Sequence, residues 1–344
     1  MLAYIIRRLL ILPLVLTGLF ILIFGLYSLL DPYEKAGLYV RDVTELKNRD
    51  INDLIEEYGL NDPPWVQFFR WVNQVLHGNL GWSTVANRPV IDAFKRFLPQ
   101  TVELALWSAI PIILGGIWLG QLSAVKQNRP IDHFGRVFAV VGWSLPTYVA
   151  GLLGLFIFYG LLRWFPPGRL STDVSLYVTL SGEFKMYTGI ITLDAILNWN
   201  WWVFADAARH LILPVLVLSY VSWALIMRVT RSSMLETLRQ EYIMTARAKG
   251  LPEKLVIKRH ARRNALIPVA TIAGITVAFL FNGLVITETI FDLPGLGRWA
   301  AEAARQFDIP SLLGYLLFNG FLIVIANLIV DILYAVIDPR VRLE

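Results

Sequence analysis

Leu104-Ala-Leu-Trp-Ser-Ala-Ile-Pro111-Ile-Ile-Leu-Gly-Gly-Ile-Trp-Leu-Gly120-Gln-Leu-Ser-Ala-Val125 runs for 22 residues without a charged side chain. In hydrocarbon no water satisfies the backbone, so a segment crosses only by bonding to itself, and about 20 apolar helical residues reach from side to side. Five further charge-free stretches have comparable size: Leu9–Leu30, Val137–Leu162, Leu211–Met227, Ala265–Thr287 and Ile309–Val330. Together they predict an all-α polytopic membrane protein of six transmembrane helices, with a long external segment after the first helix and both termini on one side. The fourth stretch is the shortest, with His210 and the stem of Arg228 extending it towards the interfaces. The first is longer than the roughly 7–15-residue core of a signal peptide and ends in Leu29-Leu30-Asp31-Pro32, so it reads as a retained anchor.

Composition agrees. Hydrophobic residues make up 56% of the 344 and charged residues 17%, where soluble domains carry about 25% charged. The absence of cysteine excludes disulfide scaffolds, Cys-ligated zinc, iron–sulfur centres and thiol catalysis. A sequence pI near 9.4 would suit a nucleic-acid binder, but the placement of charge points elsewhere. The amino-terminal side of the predicted crossings holds 17 basic against 6 acidic residues, and the opposite side 14 against 19. Lys and Arg collect in cytoplasmic loops, so Arg7, Arg8, the 126–136 loop and the 228–264 loop are expected in the cytoplasm. Asp331 is the remaining acid and reads as an interfacial residue at the end of the sixth stretch.

The segments between crossings carry less specific signals. In 31–103 a polar stretch (Asp42 to Glu57) leads to Pro63-Pro64, after which Trp65, Phe68, Phe69, Val72, Val75 and Leu76 recur at helical spacing until Gly78. An interfacial helix and a docking surface for an external partner both fit. Segment 163–209 holds Trp199, Trp201 and Trp202, which suit an interfacial belt more commonly than sugar stacking.

The 228–264 loop says most. Leu235, Leu238, Tyr242 and Ala246 lie about a turn apart and predict one helical face, stopped by Gly250-Leu251-Pro252. Glu253 to Asn264 reads as a second helical piece bearing Lys254, Lys258, Arg259, Arg262 and Arg263. Small residues at 246, 248 and 250 would admit a close-approaching backbone, as in a helix seated in a partner's groove. The same residues fit a helix resting on anionic lipid. No P-loop, dinucleotide fingerprint, H-x-x-x-H or G-x-S-x-G pattern occurs, so the chain is expected not to be an enzyme and to ligate no metal.

Glu241-Tyr-Ile-Met-Thr-Ala-Arg-Ala-Lys-Gly250-Leu, followed by Arg263-Asn-Ala-Leu-Ile-Pro268, resembles the cytoplasmic coupling loop of ABC importer permeases. The form is that of B-type subunits of the dipeptide/oligopeptide/nickel permease family. Tyr4-Ile-Ile-Arg-Arg-Leu, Tyr58-Gly-Leu-Asn-Asp-Pro, Gly78-Asn-Leu-Gly81-Trp-Ser83, Leu98-Pro-Gln-Thr-Val-Glu-Leu104, Glu288-Thr-Ile-Phe-Asp-Leu-Pro-Gly-Leu-Gly297 and Asp338-Pro-Arg-Val-Arg extend the resemblance over nearly the whole chain. The broader family's Glu-Ala-Ala is Met244-Thr245-Ala246 here, with the acid at Glu241.

The resemblance implies a type I importer permease fold, read as an amino-terminal anchor helix plus external segment (1–103) and a five-helix permease core (104–344) in a prokaryotic plasma membrane. It implies ATPase coupling through Leu238, Glu241, Tyr242, Thr245, Ala246, Arg247, Ala248, Gly250 and Leu251. It puts Glu288, Phe291, Pro294, Gly295 and Gly297 at an external gate or mouth. A second homologous permease, two cytoplasmic ATPase subunits and an extracytoplasmic substrate-binding protein are the implied partners. No cofactor is expected on this chain, since ATP and Mg belong to the ATPases. The implied cargo is dipeptides or oligopeptides, with oligosaccharides or a nickel chelate as alternatives. An ion-gradient-driven secondary transporter is the alternative of another class.

Overall fold

The computed structural model describes residues 2–37 and 50–337, with the side chains of 2–9, 278, 279, 281–283 and 329–337 also outside the description. The carboxyl-terminal Asp338-Pro-Arg-Val-Arg, the side chains of Arg7, Arg8 and Asp331, and part of the polar stretch from Asp42 therefore lie outside the described residues. The chain divides into two compact units, one formed by Met1–Thr101 with Pro294–Ile325, the other by Val102–Leu293 with Ala326–Glu344.

The first unit begins with α1 (Leu2–Ser28), then short α2 (Pro32–Gly37), α3 (Ile51–Glu57) and α4 (Pro64–Leu76). Asp50 accepts from the Asn52 N–H and so caps α3. Pro64 opens α4 where its missing N–H is not needed, and Gly78, at φ +79, follows its end. The aromatics predicted on α4 divide between two faces. Phe68, Trp71 and Val75 pack with Phe20 and Phe24 of α1, the Phe24 and Phe68 rings meeting edge-on at 5.3 Å. Trp65, Phe69 and Leu76 form an exposed stripe, a face that suits an interfacial helix and a docking surface alike.

A two-stranded hairpin, β1 (Trp82–Ser83) and β2 (Arg88–Pro89), pairs Trp82 with Pro89 and Ser83 with Arg88. Its buried Ser83 donates to Asp308 Oδ2 at 2.8 Å, and Ser311 Oγ donates to the same oxygen at 2.7 Å. That carboxylate ties the hairpin to the start of α15 (Ile309–Ile337), which follows α14 (Leu296–Arg305). Residues 288–308 thus end in an amphipathic helix whose Trp299 stacks on Phe97.

The second unit is organised on α10 (Trp201–Leu238), a 38-residue helix. Around it lie the second half of α5 (Val90–Val125), α6 (Pro130–Ser144), α7 (Thr147–Gly154), α8 (Thr172–Leu180), α9 (Ile191–Leu197) and α13 (Arg262–Ile290). The α5 backbone comes close to α10 because Gly116 and Gly120 face it: an added Cβ would lie 2.7 Å from Ile226 and 2.6 Å from Thr230. Trp223 Nε1 donates to the Pro111 carbonyl at 2.8 Å across the same contact. The buried core joins Leu104, Ile112, Leu213, Ile226, Leu284 and Phe291.

Four described helices are long and apolar enough to cross a membrane: Leu10–Ser28, Val90–Val125, Trp201–Leu238 and Ile309–Leu328. The predicted Ala265–Thr287 stretch is helical throughout, within α13. Val137–Leu162, predicted as one crossing, is instead two arms bent by 104° between Ser144 and Thr147, making a fifth candidate only as a broken pair. Pro146 stands at the bend. A residue before proline is pushed out of the α region, and Leu145 sits at φ −81, ψ 122. The second arm continues as a π-helix over Leu155–Leu161.

The fourth crossing also differs from its prediction. It was bounded at Leu211–Met227, yet the helix continues ten residues earlier and eleven later, through Trp201 and to Leu238. Segment 163–209 and the 228–264 loop are shorter as non-helical connections than the hydropathy indicates.

Candidate coupling site

All the residues predicted for ATPase coupling lie in the second unit, between the end of α10 and the start of α13. Two helical pieces fill the interval. The first, α11, spans Glu241–Ala248, and the second, α12 (Glu253–Leu255), passes through a π-helical turn at Val256–Ala261 straight into α13.

Leu235, Leu238, Tyr242 and Ala246 do not form one helical face, because α10 stops at Leu238 and Gln240 is extended at φ −71, ψ 149. The reason is tertiary. Met234 and Ile243 are nine residues apart, about two and a half turns, so one continuous helix would place them on opposite sides. Breaking at Arg239-Gln240 turns α11 back, and both join a single cluster with Ala124, Ala246, Val256, Ala261 and Ala265. Leu235, Leu238 and Leu251 pack around that cluster.

The inward face of α11 is therefore Ile243, at 0% exposure, and Ala246, at 6%. Ala246 was expected to admit a partner's backbone, and it is instead closed against the chain's own helices. Its small side chain lets α11 lie close to them. Tyr242 points the other way and is 41% exposed, its hydroxyl accepting from Asn264 Nδ2 at 2.8 Å. Glu241, Met244, Thr245, Arg247, Ala248 and Gly250 are exposed as well. Thr245 Oγ1 turns back to the Glu241 carbonyl at 3.0 Å, so the outer face presents chiefly Tyr242, Met244 and Ala248.

The end of α11 is the stop foreseen at Gly250. Gly250 takes φ +75, its N–H bonding the Arg247 carbonyl at 2.9 Å and the Leu251 N–H reaching the Ala246 carbonyl at 3.4 Å. This pair of bonds is the Schellman arrangement, and the apolar contact that accompanies it is Leu251 in the cluster of Ala246. Nothing lies within 4 Å of a Cβ built on Gly250, so glycine is needed there for its backbone and not for space.

Arg247 crosses the turn to Glu253 with two hydrogen bonds, Nε to Oε2 at 3.0 Å and Nη2 to Oε1 at 2.7 Å. The bond holds Glu253 below the ordinary carboxylate pKa and raises that of Arg247. Lys254, Lys258, Arg259, Arg262 and Arg263 are all exposed beyond it. Behind this surface Ser233 Oγ donates to the Ala265 carbonyl at 2.9 Å, tying α10 to α13.

Three features here were not anticipated from sequence: Ile243 as the anchor, the Tyr242–Asn264 bond and the Arg247–Glu253 clamp. Only the clamp had a local signal, opposite charges on either side of a glycine turn. The residues assigned to an external mouth are largely covered. Within the second unit Glu288 and Phe291 are each 1% exposed, the Phe291 carbonyl accepting from the Gly168 N–H at 2.8 Å. Within the first unit Gly295 and Gly297 are buried and Pro294 partly so, the Leu296 N–H beside them donating to Thr101 Oγ1 at 2.8 Å.

Comparison with known proteins identifies the family. Residues 112–343 match the family model described as the inner membrane component of binding-protein-dependent transport systems. The dipeptide transport system permease protein of Alkalihalophilus pseudofirmus is 38% identical over 343 residues, covering 99% of this chain and 100% of that protein. The corresponding Escherichia coli K12 dipeptide protein is 39% identical over 290 residues, 84% of each chain. An oligopeptide transport system permease protein of Bacillus subtilis is 36% identical over 343 residues, 99% and 100% of the two. With a family model spanning α11 and its supporting helices and relatives aligned end to end, this chain belongs to the family of binding-protein-dependent transport system inner membrane components.

Proposed function

We propose that this chain is the membrane-spanning subunit of an ATP-driven ABC importer and forms half of the translocation path for dipeptides or oligopeptides. The cargo follows the relatives, which are dipeptide and oligopeptide permeases by name. The observation that carries the reading is α11: a short helix anchored to its own crossings by Ile243 and Ala246, with Tyr242, Met244 and Ala248 left outward. On this reading the outward face docks in a groove of a cytoplasmic ATPase, and ATP and Mg are bound there and not on this chain. Glu241, Thr245, Arg247, Gly250 and Leu251 shape and stop the docking helix, and Leu238 seats it. The amino terminus and the basic 228–264 segment face the cytoplasm, as the distribution of Lys and Arg supports.

A second, homologous permease completes the path, two ATPases drive it, and an extracytoplasmic binding protein delivers the cargo. ATP-bound ATPases draw the coupling helices together and favour an outward-open path, and hydrolysis restores the inward-open one. The ATPases bias that equilibrium only through contacts that differ between the two states.

The test is to tag the chain, extract it gently from native membranes and identify what copurifies. A second permease, two ATPases and a binding protein carrying peptide are expected, with ATP-dependent peptide uptake in proteoliposomes. Uptake driven by a proton or sodium gradient without ATP would overturn the importer reading. A binding protein loaded with oligosaccharide or a nickel chelate would overturn the cargo alone.

A further inference from the structure

Between α6 and α10 opens a cavity of about 970 Å³ that reaches at one end to Leu235 and Gln240 beside the coupling site. Its walls change character along the two helices. Ala139, Val140, Trp143, Ala224 and Met227 line one part, and they belong to stretches without a charged residue, 137–162 and 211–227. Ala139, Ala224 and Met227 are buried and form a packed floor with Leu119. Val140 and Trp143 stand exposed above it.

Arg136, Arg228, Arg231 and Arg239 line the other part. Arg136 and Arg228 are the first charges beyond the apolar stretches of their helices, so at these two the rim stands where hydrocarbon gives way to headgroups, while Arg239 lies about 16 Å further along the α10 axis. Its charge is only partly balanced. Arg231 is held by buried Asp132 through Nε at 2.8 Å and Nη2 at 2.9 Å. Asp132 is further occupied by Ser123 Oγ and the Asn128 N–H. Arg228 and Arg239 touch no carboxylate among the described residues, and Arg136 lies 3.6 Å from the same Asp132. Glu236 is the acid on the rim. The rim therefore presents an excess of positive charge above an apolar, tryptophan-bearing wall.

We propose that this cavity binds an anionic phospholipid of the adjoining leaflet, its phosphate at Arg136 and Arg228 and an acyl chain along Val140 and Trp143. Basic pockets between crossing helices take anionic headgroups, and arginine suits phosphate through its forked donors. A soluble anion would use the rim and leave the apolar wall wet. The polarity of the whole cavity matches a lipid instead. The inference rests on the membrane-spanning reading and is independent of peptide cargo.

The test places the full chain, purified with whatever subunits accompany it, in vesicles containing trace photoactivatable phosphatidylglycerol or phosphatidylcholine. Cross-linked peptides are then mapped on this chain. Phosphatidylglycerol adducts are expected to concentrate on the α6 and α10 segments bearing Trp143 and Arg228, several-fold above phosphatidylcholine. Arg136→Gln with Arg228→Gln should reduce them about 25-fold, about fivefold for each arginine near a charged surface. In the unaltered chain the preference should fade as salt shortens the Debye length, a reading that stands even where the double variant fails to fold. Equal labelling by the two lipids overturns the proposal. So does displacement of the adducts by inorganic phosphate at matched ionic strength, which assigns the rim to a soluble anion. A disulfide or bifunctional cross-link from Val140→Cys to a second permease subunit, with lipid adducts absent, also overturns it and assigns the cavity to that partner.

Discussion

Ile243→Ala is the substitution that separates how α11 is held from what it contacts. Ile243 is fully buried and is the largest side chain by which α11 is anchored, Ala246 and Leu251 supplying the rest. Truncating a buried Ile to Ala costs about 2–5 kcal/mol through lost transfer energy and the residual cavity. An 8-residue helix has no stability of its own in water, so the loss falls almost entirely on the docked state of α11. At 1.4 kcal/mol per decade, undocking rises about 30-fold at the low end and several thousand-fold at the high end. Hydrogen exchange in lipid nanodiscs reads this directly at the amides of Lys249, Gly250 and Leu251, which bond back to Thr245, Arg247 and Ala246. Their protection should fall by at least about 30-fold while amides of Leu213–Met227 in α10 keep theirs. Met244→Ala is the control. Met244 is 61% exposed, so its removal should leave protection within about 0.5 kcal/mol and, on the proposed function, still impair ATP-driven uptake. Unchanged protection in Ile243→Ala, or equal loss in Met244→Ala, would refute the assignment of inner and outer faces.

Three further predictions follow from other contacts. Gly250→Trp adds a Cβ that meets nothing within 4 Å, but it forces φ +75 on a side chain, a strain of about 1–2 kcal/mol. It should leave membrane insertion intact while uncoupling ATPase activity from uptake, with Gly250→Asn milder because Asn tolerates that region; normal uptake by the Trp variant would sink the docking proposal. Glu103→Gln removes the buried charge that half-buried Arg169 faces at 2.9 Å, the carboxylate also accepting from Thr192 N and Oγ1, each at 2.7 Å. Burial already draws the Arg169 pKa down, and the variant keeps the Gly189 carbonyl at 2.7 Å and the nearby charge of Asp194 to offset it, so the loss should destabilise the second unit by about 1.5–3 kcal/mol, read as a lowered thermal midpoint in detergent. The third concerns Arg247–Glu253. Because the folded-state pKa of Glu253 is lowered, its contribution is complete above the ordinary carboxylate pKa and is lost as pH falls through the lowered one. Exchange at Leu251, corrected for intrinsic rate, should be flat from neutral pH to about 5 and rise below that. The amplitude should stay under about 1 kcal/mol, since both partners are exposed, and Glu253→Gln should abolish the rise.

The crossings were legible where apolarity and helix coincide, as in Leu104–Val125 within α5 and Ile309–Val330 within α15. They were misread where the two part company. Val137–Leu162 is apolar throughout, so hydropathy runs across Leu145-Pro146 without registering a turn that steric conflict before proline favours. In α10 the error is reversed. The helix runs past its apolar stretch at both ends, because intrahelical bonds do not stop where charge begins. The coupling site divides in the same way. Gly250 announces its own role, since a left-handed residue is a local requirement. The Arg239-Gln240 break has no glycine or proline to mark it and is set by the burial of Ile243 beside Met234 and Val256. A periodicity carried across an unmarked break therefore assigns Tyr242 to the wrong face.

Proline alone does not decide where these helices break. Pro13, Pro214 and Pro268 lie inside continuous helices, as neighbouring groups in crossing helices allow, whereas Pro146 separates two arms. What distinguishes the latter is that each arm has its own seat on α10. Gly142 lies so close that an added Cβ would be 2.8 Å from the Tyr220 carbonyl, and Gly154 rests against Leu213 and Val217. The bend is thus supported on both sides by one helix. The same helix receives α5 at Gly116 and Gly120 and seats α11 through Met234 and Leu235. At 1.5 Å per residue its 38 residues span about 57 Å without interruption. A two-state motion needs an element whose position several parts share, because packed interfaces shift between discrete arrangements more readily than they deform. On the proposed function α10 is that element: a displacement imposed on α11 by the ATPase reaches α5, α6 and α7 through contacts too close to slide independently.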